Sequence, residues 1–443
     1  MSNATHSSTV LTAASAPTHA PAWVPVPQRT SAAQLRRWRA LFGIALLPAL
    51  ASCNDGGYDD HCFNCGVTPS EVSLGVIAGN FNANGFPSIV ALSSIEPAVG
   101  PGNGNLKVYL STGVGAFAAP SYVPNGDEPL YLASADLNGD GLPDVVSASY
   151  DDGTLAVFFN DKSSPGTLNT PLVLSSPGAS QVAIGDMNND GMPDLVSADF
   201  GVSLFLQTSP GTFAAPISLY SGGANWVAVG DLNKDGSLDV ALTDNVGVKV
   251  LLHTGAPSAT TYAAPVSVFT QSANLNVIGA NLIAIADVNG DGANDLVITD
   301  PGPTGGMTPT VNILLQNPAS PGTFLAPASY PIAAMDLSQS IVVTDVDGDG
   351  RPDIIIGGQQ TVTVLLQSHA PAAPGTFMAA TVYPAPGAYE IAVVDINGDG
   401  KPDIVVSNGV TNPIVNGVAT THPGVLLQSA TAPGTFGALQ DLP

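Results

Sequence analysis

The chain has 443 residues and a formal net charge of −25, from 35 acidic and only 10 basic residues. So acidic a surface repels the phosphate backbone of nucleic acids and anionic lipid headgroups, which excludes nucleic acid as a partner. Glycine (48) and proline (38) are abundant and aromatic residues make up only 6%, so the composition predicts a folded, turn-rich, mainly β protein.

The first 52 residues contain no aspartate or glutamate and resemble an export signal. Arg36, Arg37 and Arg39 precede an apolar run from Ala40 to Ser52. A basic segment followed by about 7–15 apolar residues and small residues is typical of secretory signals. The run is too short to span a bilayer, which requires about 20 apolar residues. An ordinary secretory peptide and a short buried segment are the alternatives to a lipoprotein signal.

The end of this run favours the lipoprotein interpretation. Leu50-Ala51-Ser52-Cys53 resembles the bacterial lipobox, in which the cysteine is lipidated and becomes the mature N-terminus. We therefore expect residues 1–52 to be a lipoprotein signal peptide, Cys53 to carry lipid, and residues 53–70 to form a flexible tether. The protein would then lie in the cell envelope, anchored to the outer membrane or cell surface, or be secreted. It would touch the membrane only through its lipid.

The two remaining cysteines form the sequence Cys62-Phe63-Asn64-Cys65. This spacing fits a redox motif, half of a zinc site or a small disulfide. No βαβ pattern surrounds it, and only His61 is nearby as a further zinc ligand. In an exported chain we expect a structural disulfide between Cys62 and Cys65.

Six copies of a nine-residue loop follow, typified by Asp395-Ile396-Asn397-Gly398-Asp399-Gly400-Lys401-Pro402-Asp403. Oxygen-bearing side chains occupy loop positions 1, 3, 5 and 9, and glycine occupies position 6, where we expect a positive φ. This pattern of oxygen ligands around a sharp turn is typical of calcium sites. The predicted ligands are Asp136, Asn138, Asp140 and Asp144; Asp186, Asn188, Asp190 and Asp194; Asp231, Asn233, Asp235 and Asp239; Asp287, Asn289, Asp291 and Asp295; Asp345, Asp347, Asp349 and Asp353; Asp395, Asn397, Asp399 and Asp403.

We expect about six structural calcium ions (Ca²⁺), because carboxylates crowded into one loop repel one another unless a cation neutralises them. The alternative is that the loops are turns held by side-chain hydrogen bonds alone. The aspartate at position 9 favours calcium, since that residue would gain nothing from turn chemistry. A degraded seventh copy, beginning at Asn80, has no carboxylate and should bind little or no calcium.

The loops recur at intervals of 45 to 58 residues, which indicates one supersecondary unit repeated seven times. Each unit contains β-branched and leucine-rich runs, with a strand on either side of the loop, as in Gln181–Gly185 and Asp194–Ser197. A third strand, a Gly-Thr-Phe turn such as Gly211-Thr212-Phe213 and a fourth strand complete the unit. We predict an all-β fold, a seven-bladed β-propeller of four-stranded blades over residues 71–443. An open β-solenoid is the alternative, although its repeats are usually shorter.

These loops and turns resemble FG-GAP/VCBS repeats, the units of the integrin α-subunit propeller and of many exported bacterial proteins. The resemblance covers residues 71–443. It implies calcium in the hairpin between strands 1 and 2 of a blade, and partners on the opposite face, which the 2–3 and 4–1 connections build. Family propellers often share one blade between both termini, whereas here a strand near Leu439–Leu442 would complete the seventh unit by itself.

No catalytic constellation is evident, and His253, His369 and His422 suggest structural roles in the repeats. The long 2–3 connections, 96–105, 301–310 and 408–422, suit a binding surface over a rigid scaffold. Tyr131, Tyr150, Trp226, Tyr330 and Tyr389 should lie near that face. Trp226 stands out because we expect the equivalent positions to be small or aliphatic, so it would stack on a ligand or pack between blades. We therefore expect a binding or adhesion module for a protein or glycan, with a polysaccharide-active, lyase-like enzyme as the alternative.

Overall fold

A computed structural model describes residues 70–72, 75–96, 104–126, 129–256, 258, 260–270, 282–300, 309–332, 338–368, 375–407, 414–415, 418–419 and 422–442. The predicted signal, Cys53, the Cys62–Cys65 disulfide and His369 lie outside these residues, as do most of the long 2–3 connections. The described part of the chain contains strands and turns, and none of its segments forms a helix with the length and apolar character needed to cross a membrane.

The described chain folds into seven antiparallel sheets of four consecutive strands, which are the blades of a propeller. Blades 1 to 4 comprise Val76–Gly79, Ser88–Glu96, Gly104–Tyr109 and Ser121–Pro124; Pro129–Ala135, Asp144–Ser149, Thr154–Phe158 and Leu172–Ser175; Gln181–Gly185, Asp194–Ala198, Val202–Phe205 and Ile217–Tyr220; Trp226–Gly230, Asp239–Thr243, Gly247–Leu251 and Val266–Thr270. Blades 5 to 7 comprise Ile283–Ala286, Asp295–Asp300, Thr310–Leu314 and Ala328–Pro331; Ser338–Thr344, Asp353–Gly358, Thr361–Leu365 and Thr381–Pro384; Ile391–Val394, Asp403–Val406, Gly424–Leu426 and Gln440–Asp441.

Four short additions decorate these blades. Ser70–Val72 pairs with the second strand of blade 1, beside Val76–Gly79. The others are two-stranded hairpins: Ser111–Gly113 with Ala116–Phe117, Gln207–Ser209 with Thr212–Phe213, and Ile414–Val415 with Val418–Ala419.

The ring is closed by burial of apolar side chains between neighbouring blades. Second and third strands are β-branched and buried on both faces, as in Asp353–Gly358, so each blade must cover both of its faces with other blades. Every junction between consecutive blades has its own apolar cluster. The junction of blades 7 and 1 has one too, in which Val76 and Tyr109 pack with Ile396 and Val405. The predicted seven-bladed propeller is therefore confirmed.

The seventh blade is completed by the chain's own last strand, as the sequence predicted, because Gln440–Asp441 pairs with Gly424–Leu426. Backbone contacts seal the junction with blade 1 on the side of the acidic loops. Gly115 N–H donates to the Ile396 carbonyl at 3.0 Å, as Gly211 N–H donates to the Leu137 carbonyl between blades 3 and 2. Closure thus uses the same type of contact as the other junctions and exchanges no strand.

In several blades, a polar residue two positions after the third strand forms a hydrogen bond with the preceding blade. The Gln428 amide donates to the Val346 carbonyl of blade 6 at 2.6 Å and to the Pro402 carbonyl of its own blade at 2.8 Å. Gln316, Gln367 and Asn160 make the same contact with the preceding blade. These buried bonds join the carbonyl at loop position 2 of one blade to the next blade.

We expect Gln428→Ala to lower the free energy of unfolding by about 1–3 kcal/mol, because two buried carbonyls lose their donor. Gln207→Ala is the control, since its amide donates to the Pro193 carbonyl of its own blade at 3.0 Å. Denaturant unfolding of both variants measures the difference. Equal losses would show that the link between blades adds nothing.

Candidate functional site

The six acidic loops lie at one end of the blades, each between strands 1 and 2, and share one conformation. In the loop at Asp395, the side chain at position 1 accepts hydrogen bonds from the backbone N–H groups of Asp399 (3.1 Å) and Gly400 (2.8 Å). The amide oxygen of Asn397 also accepts from Asp399 N–H, at 2.9 Å. Positions 1, 3 and 5 therefore turn their oxygens inward over the turn, where a hard cation prefers to find them.

The predicted positive φ at position 6 is confirmed: φ lies between 78° and 91° at this glycine in all seven copies of the loop. A Cβ added at Gly400 would meet no atom within 4 Å, so only the backbone conformation opposes a side chain there. We expect Gly400→Ala to lower the free energy of unfolding by about 1 kcal/mol, measured by denaturant unfolding in calcium. A stable variant would show that the turn relaxes without cost.

The aspartate at position 9 has a role that the sequence analysis missed. In blade 5, one oxygen of Asp295 accepts from Val288 N–H at 3.0 Å and the other from Gln316 N–H at 2.7 Å. The side chain is fully buried, as are its counterparts in the other five loops. The argument that position 9 gains nothing from turn chemistry was wrong, because this carboxylate ties the loop to the end of strand 3. Accepting two N–H groups leaves lone pairs free on both oxygens.

Burial raises the pKa of these position-9 carboxyl groups, and neighbouring carboxylates of the same loop add to the rise. The pKa is raised to about 6 in Asp144, Asp194, Asp239, Asp295 and Asp353, and it is also raised in Asp403. Backbone N–H donors oppose this rise in each case. The ionised loop is thus costly by itself, and a bound cation would offset that cost.

The blade 6 loop brings its carboxylates closest together. Single oxygens of Asp345, Asp347 and Asp353 lie within 4.8 Å of one another. This is the loop with aspartate at all four predicted positions. The donor set suits a hard divalent cation, since all its members are carboxylate oxygens.

The degraded loop in blade 1 keeps the fold but replaces the chemistry. Asn80 accepts from Gly85 N–H at 3.1 Å, as position 1 does elsewhere. The amides of Asn82 and Asn84 instead donate to the Ser111 carbonyl, at 2.7 and 2.8 Å. Side-chain donors therefore fill the turn where the other loops crowd carboxylates.

The opposite end of the blades carries the 2–3 hairpins and 4–1 connections, and an exposed aromatic lies there. Phe200, in the hairpin of blade 3, is 62% exposed and packs edge-to-face on Tyr150 of the blade 2 hairpin, with centroids 6.2 Å apart. Val246, in the blade 4 hairpin, is 59% exposed. Tyr330, near the end of strand 4, packs on Phe377 of the next blade, and its hydroxyl accepts from Phe377 N–H at 3.3 Å.

Trp226 and Tyr131 meet at the inner ends of their blades. Their rings are 5.3 Å apart and edge-to-face, although they belong to blades 4 and 2. Trp226 stands five residues before its loop, and the residues five before the other loops include Tyr131, Gln181 and Glu390. The expectation that equivalent positions are small or aliphatic was therefore wrong.

Two of the three histidines of the repeat region are described, and both make packing contacts. His253 is buried against Tyr262, with ring centroids 5.5 Å apart, and its backbone N–H donates to Asp239. His422 lies 3.3 Å from the hydroxyl of Tyr109, which is fully buried.

A family model described as FG-GAP-like repeat matches residues 80–147, 136–197, 186–242, 287–356 and 345–406. Together these segments cover more than half of the chain, and each contains or borders acidic loops. A sequence comparison of this chain with curated proteins found no match.

Several solved structures are similar in fold. An Agrocybe aegerita lectin that recognises non-reducing terminal N-acetylglucosamine is 20% identical, covering 71% of this chain and 80% of its own, with a TM-score of 0.48. A putative 6-phosphogluconolactonase of Bacteroides uniformis is 13% identical, with coverage of 70% and 84% and a TM-score of 0.47. The V. cholerae biofilm matrix protein Bap1 is 12% identical, with coverage of 83% and 89% and a TM-score of 0.42. Similarity at this level carries no inference about a ligand or a reaction.

Proposed function

Because the chain belongs to the FG-GAP-like repeat family, we propose that it is an exported, calcium-stabilised propeller that binds a protein or glycan at the cell envelope. The ring supplies a rigid scaffold, and its two ends differ in chemistry. One end carries the acidic loops and the other carries exposed apolar side chains. The export signal, the lipid on Cys53 and the envelope location are parts of the same proposal and rest on residues 1–53.

Calcium has a structural role in this proposal, and the connections of each loop support it. The residue at loop position 2 is buried in the junction between blades, as Val288 and Ile396 are. Its N–H donates to the position-9 carboxylate, and in several blades its carbonyl accepts from the next blade. A cation that fixes the loop therefore also fixes the junction.

The exposed side chain of Phe200 is the main support for a binding function. An aromatic side chain that is 62% exposed, supported from one side by Tyr150, loses little conformational freedom when a partner covers it. Aromatic anchors of this kind contribute much of the energy at recognition surfaces. The 2–3 hairpins of blades 2, 3 and 4 therefore form the candidate surface.

The test is a pull-down from envelope extract and a glycan array, both with the full chain in calcium and again in chelator. Phe200→Ser should remove capture, and Val173→Ser should retain it. Val173 is the matched control, because it is 58% exposed but lies in the outer strand of blade 2. Equal capture by both variants would exclude the hairpin surface as the binding site.

The polysaccharide-active enzyme is the second candidate, and the same glycans separate the two. Incubation of array-positive glycans with the protein, followed by mass spectrometry, detects released oligosaccharides. Binding without release supports the binding module. Release that depends on the protein would favour the enzyme instead.

A further inference from the structure

Seven equivalent positions form one tier around the centre of the ring, at the end opposite the acidic loops. Each is the fifth residue before its loop. The tier consists of Gly75, Tyr131, Gln181, Trp226, Leu282, Ser340 and Glu390. The next residue of the same strands is apolar in all seven blades, from Val76 to Ile391. Residue chemistry therefore varies from blade to blade in this tier, whereas the next position along each chain segment is always apolar.

Long side chains of this tier reach across to other blades. Trp226 and Tyr131 pack edge-to-face, although the blade of Gln181 stands between their blades in the chain order. Glu390 of blade 7 passes Gly75, where an added Cβ would lie 2.6 Å from its carboxylate, and accepts from Val76 N–H at 3.0 Å. The carboxylate also accepts from Leu132 N–H of blade 2.

Two residues of this tier, one with an amide and one with a carboxyl group, make the same hydrogen bond to the next blade. The Gln181 side-chain oxygen accepts from Val227 N–H of the next blade at 3.0 Å, just as Glu390 accepts from Val76 N–H. A neutral amide is therefore sufficient for this structural task. Burial raises the pKa of the Glu390 carboxyl well above its ordinary range, although its backbone donors oppose the rise. A cation nearby would favour the ionised form of this carboxyl group.

A cavity of about 340 Å³ opens beside this tier, lined by Tyr131, Gln181, Trp226, Ile283 and Ile341, among others. Its size is within the range of small-molecule sites. None of the described lining residues is basic. Burial raises the pKa of the Tyr131 hydroxyl, and the nearby Glu390 carboxyl group adds to the rise.

We propose that this cavity binds an alkylammonium group, held by the rings of Trp226 and Tyr131 and by the nearby Glu390 carboxyl group, whose ionised form the bound cation would favour. Aromatic rings attract cations through their quadrupole, tryptophan most strongly, and recognition of alkylated ammonium groups uses such rings. A sugar would require several hydrogen-bond partners, whereas the Gln181 amide is already bonded to Val227 N–H and the Val182 carbonyl. The net charge of −25 also favours a cation.

The ammonium group has two sources, a free amine or a lysine side chain of a partner. Calorimetric titration of the full chain in calcium tests both, with choline as the first probe and Nα-acetyl-lysine amide as the second. The control ligand is 3,3-dimethyl-1-butanol, which has the shape of choline without the charge. A simple methyl glycoside tests the sugar alternative. None of these titrations depends on the proposed partner at the hairpins.

Two variants match residues that the tier already tolerates: Glu390→Gln follows Gln181, and Trp226→Leu follows Leu282. Each should weaken binding of choline or the lysine amide by on the order of tenfold, with Val246→Ser unchanged. Binding of the lysine amide alone assigns the site to a partner's side chain.

Three results would overturn the proposal: no saturable binding of either cation, binding of the neutral alcohol or the glycoside as tight as that of choline, or unchanged affinity in Glu390→Gln. Thermal melts check that the variants fold. If Glu390→Gln does not fold, the proposal is tested by the affinity of Trp226→Leu for choline and by the difference in affinity between choline and its neutral isostere.

Discussion

We expect removal of calcium by a chelator to lower the melting temperature of the protein by roughly 10 °C or more. A cation bound only by the folded state adds about 2.7 kcal/mol per site at a hundredfold excess over its dissociation constant. The proposed sites number about six, and each loop is tied to a junction between blades. Calorimetry or circular dichroism in calcium and in chelator measures the shift.

Loop variants locate the effect within the chain. Asp345→Asn with Asp347→Asn should reduce the calcium stoichiometry by about one and remove part of the shift. The matched change in the degraded loop, Asn82→Ala, should leave the stoichiometry unaltered, because that loop has no carboxylate. An identical melting temperature with and without chelator would refute the calcium proposal.

The second large effect concerns the buried aspartate at position 9 and does not require metal. We expect Asp295→Asn to lower the free energy of unfolding by about 3 kcal/mol or more, in chelator as well as in calcium. Asparagine has only one side-chain oxygen, so its amide nitrogen must face either Val288 N–H or Gln316 N–H. Two hydrogen-bond donors would then point at each other in a buried site.

The control is Asp291→Asn in the same loop, at the exposed position 5. Its side-chain oxygen accepts from Ala293 N–H at 2.8 Å, and asparagine keeps that oxygen. In chelator, the free energy of unfolding of this variant should fall by less than about 1 kcal/mol. If Asp295→Asn unfolds like the wild-type protein once calcium is removed, its carboxylate serves the metal alone.

The sequence was sufficient to predict the blades, because six acidic loops and one degraded copy mark the turn between the first two strands of each unit, and strand alternation marks the rest. It also predicted that blade 7 would be complete in itself, since a final strand near Leu439–Leu442 follows Gly434-Thr435-Phe436. The signal for the link between blades was present but overlooked. Gln316, Gln367 and Gln428 recur two positions after the third strand, and a polar residue repeated at a buried position indicates a hydrogen bond that recurs from blade to blade.

Contacts across the centre of the ring could not be predicted from the sequence. Trp226 and Tyr131 are 95 positions apart, and nothing local shows that blades 2 and 4 approach each other at that depth. The same holds for Glu390 and Val76, whose contact exists only once the ring closes. The position-9 aspartate was misread for a related reason, because one of its two donors comes from the far end of strand 3.

Closure without strand exchange affects how the chain folds during synthesis. Until blade 7 is made, the growing protein exposes one apolar face on blade 1 and another on the newest blade, and these faces are complementary across molecules. Truncated chains should therefore associate head to tail, either into larger circles or into open polymers. Only the finished chain can satisfy both faces within one molecule.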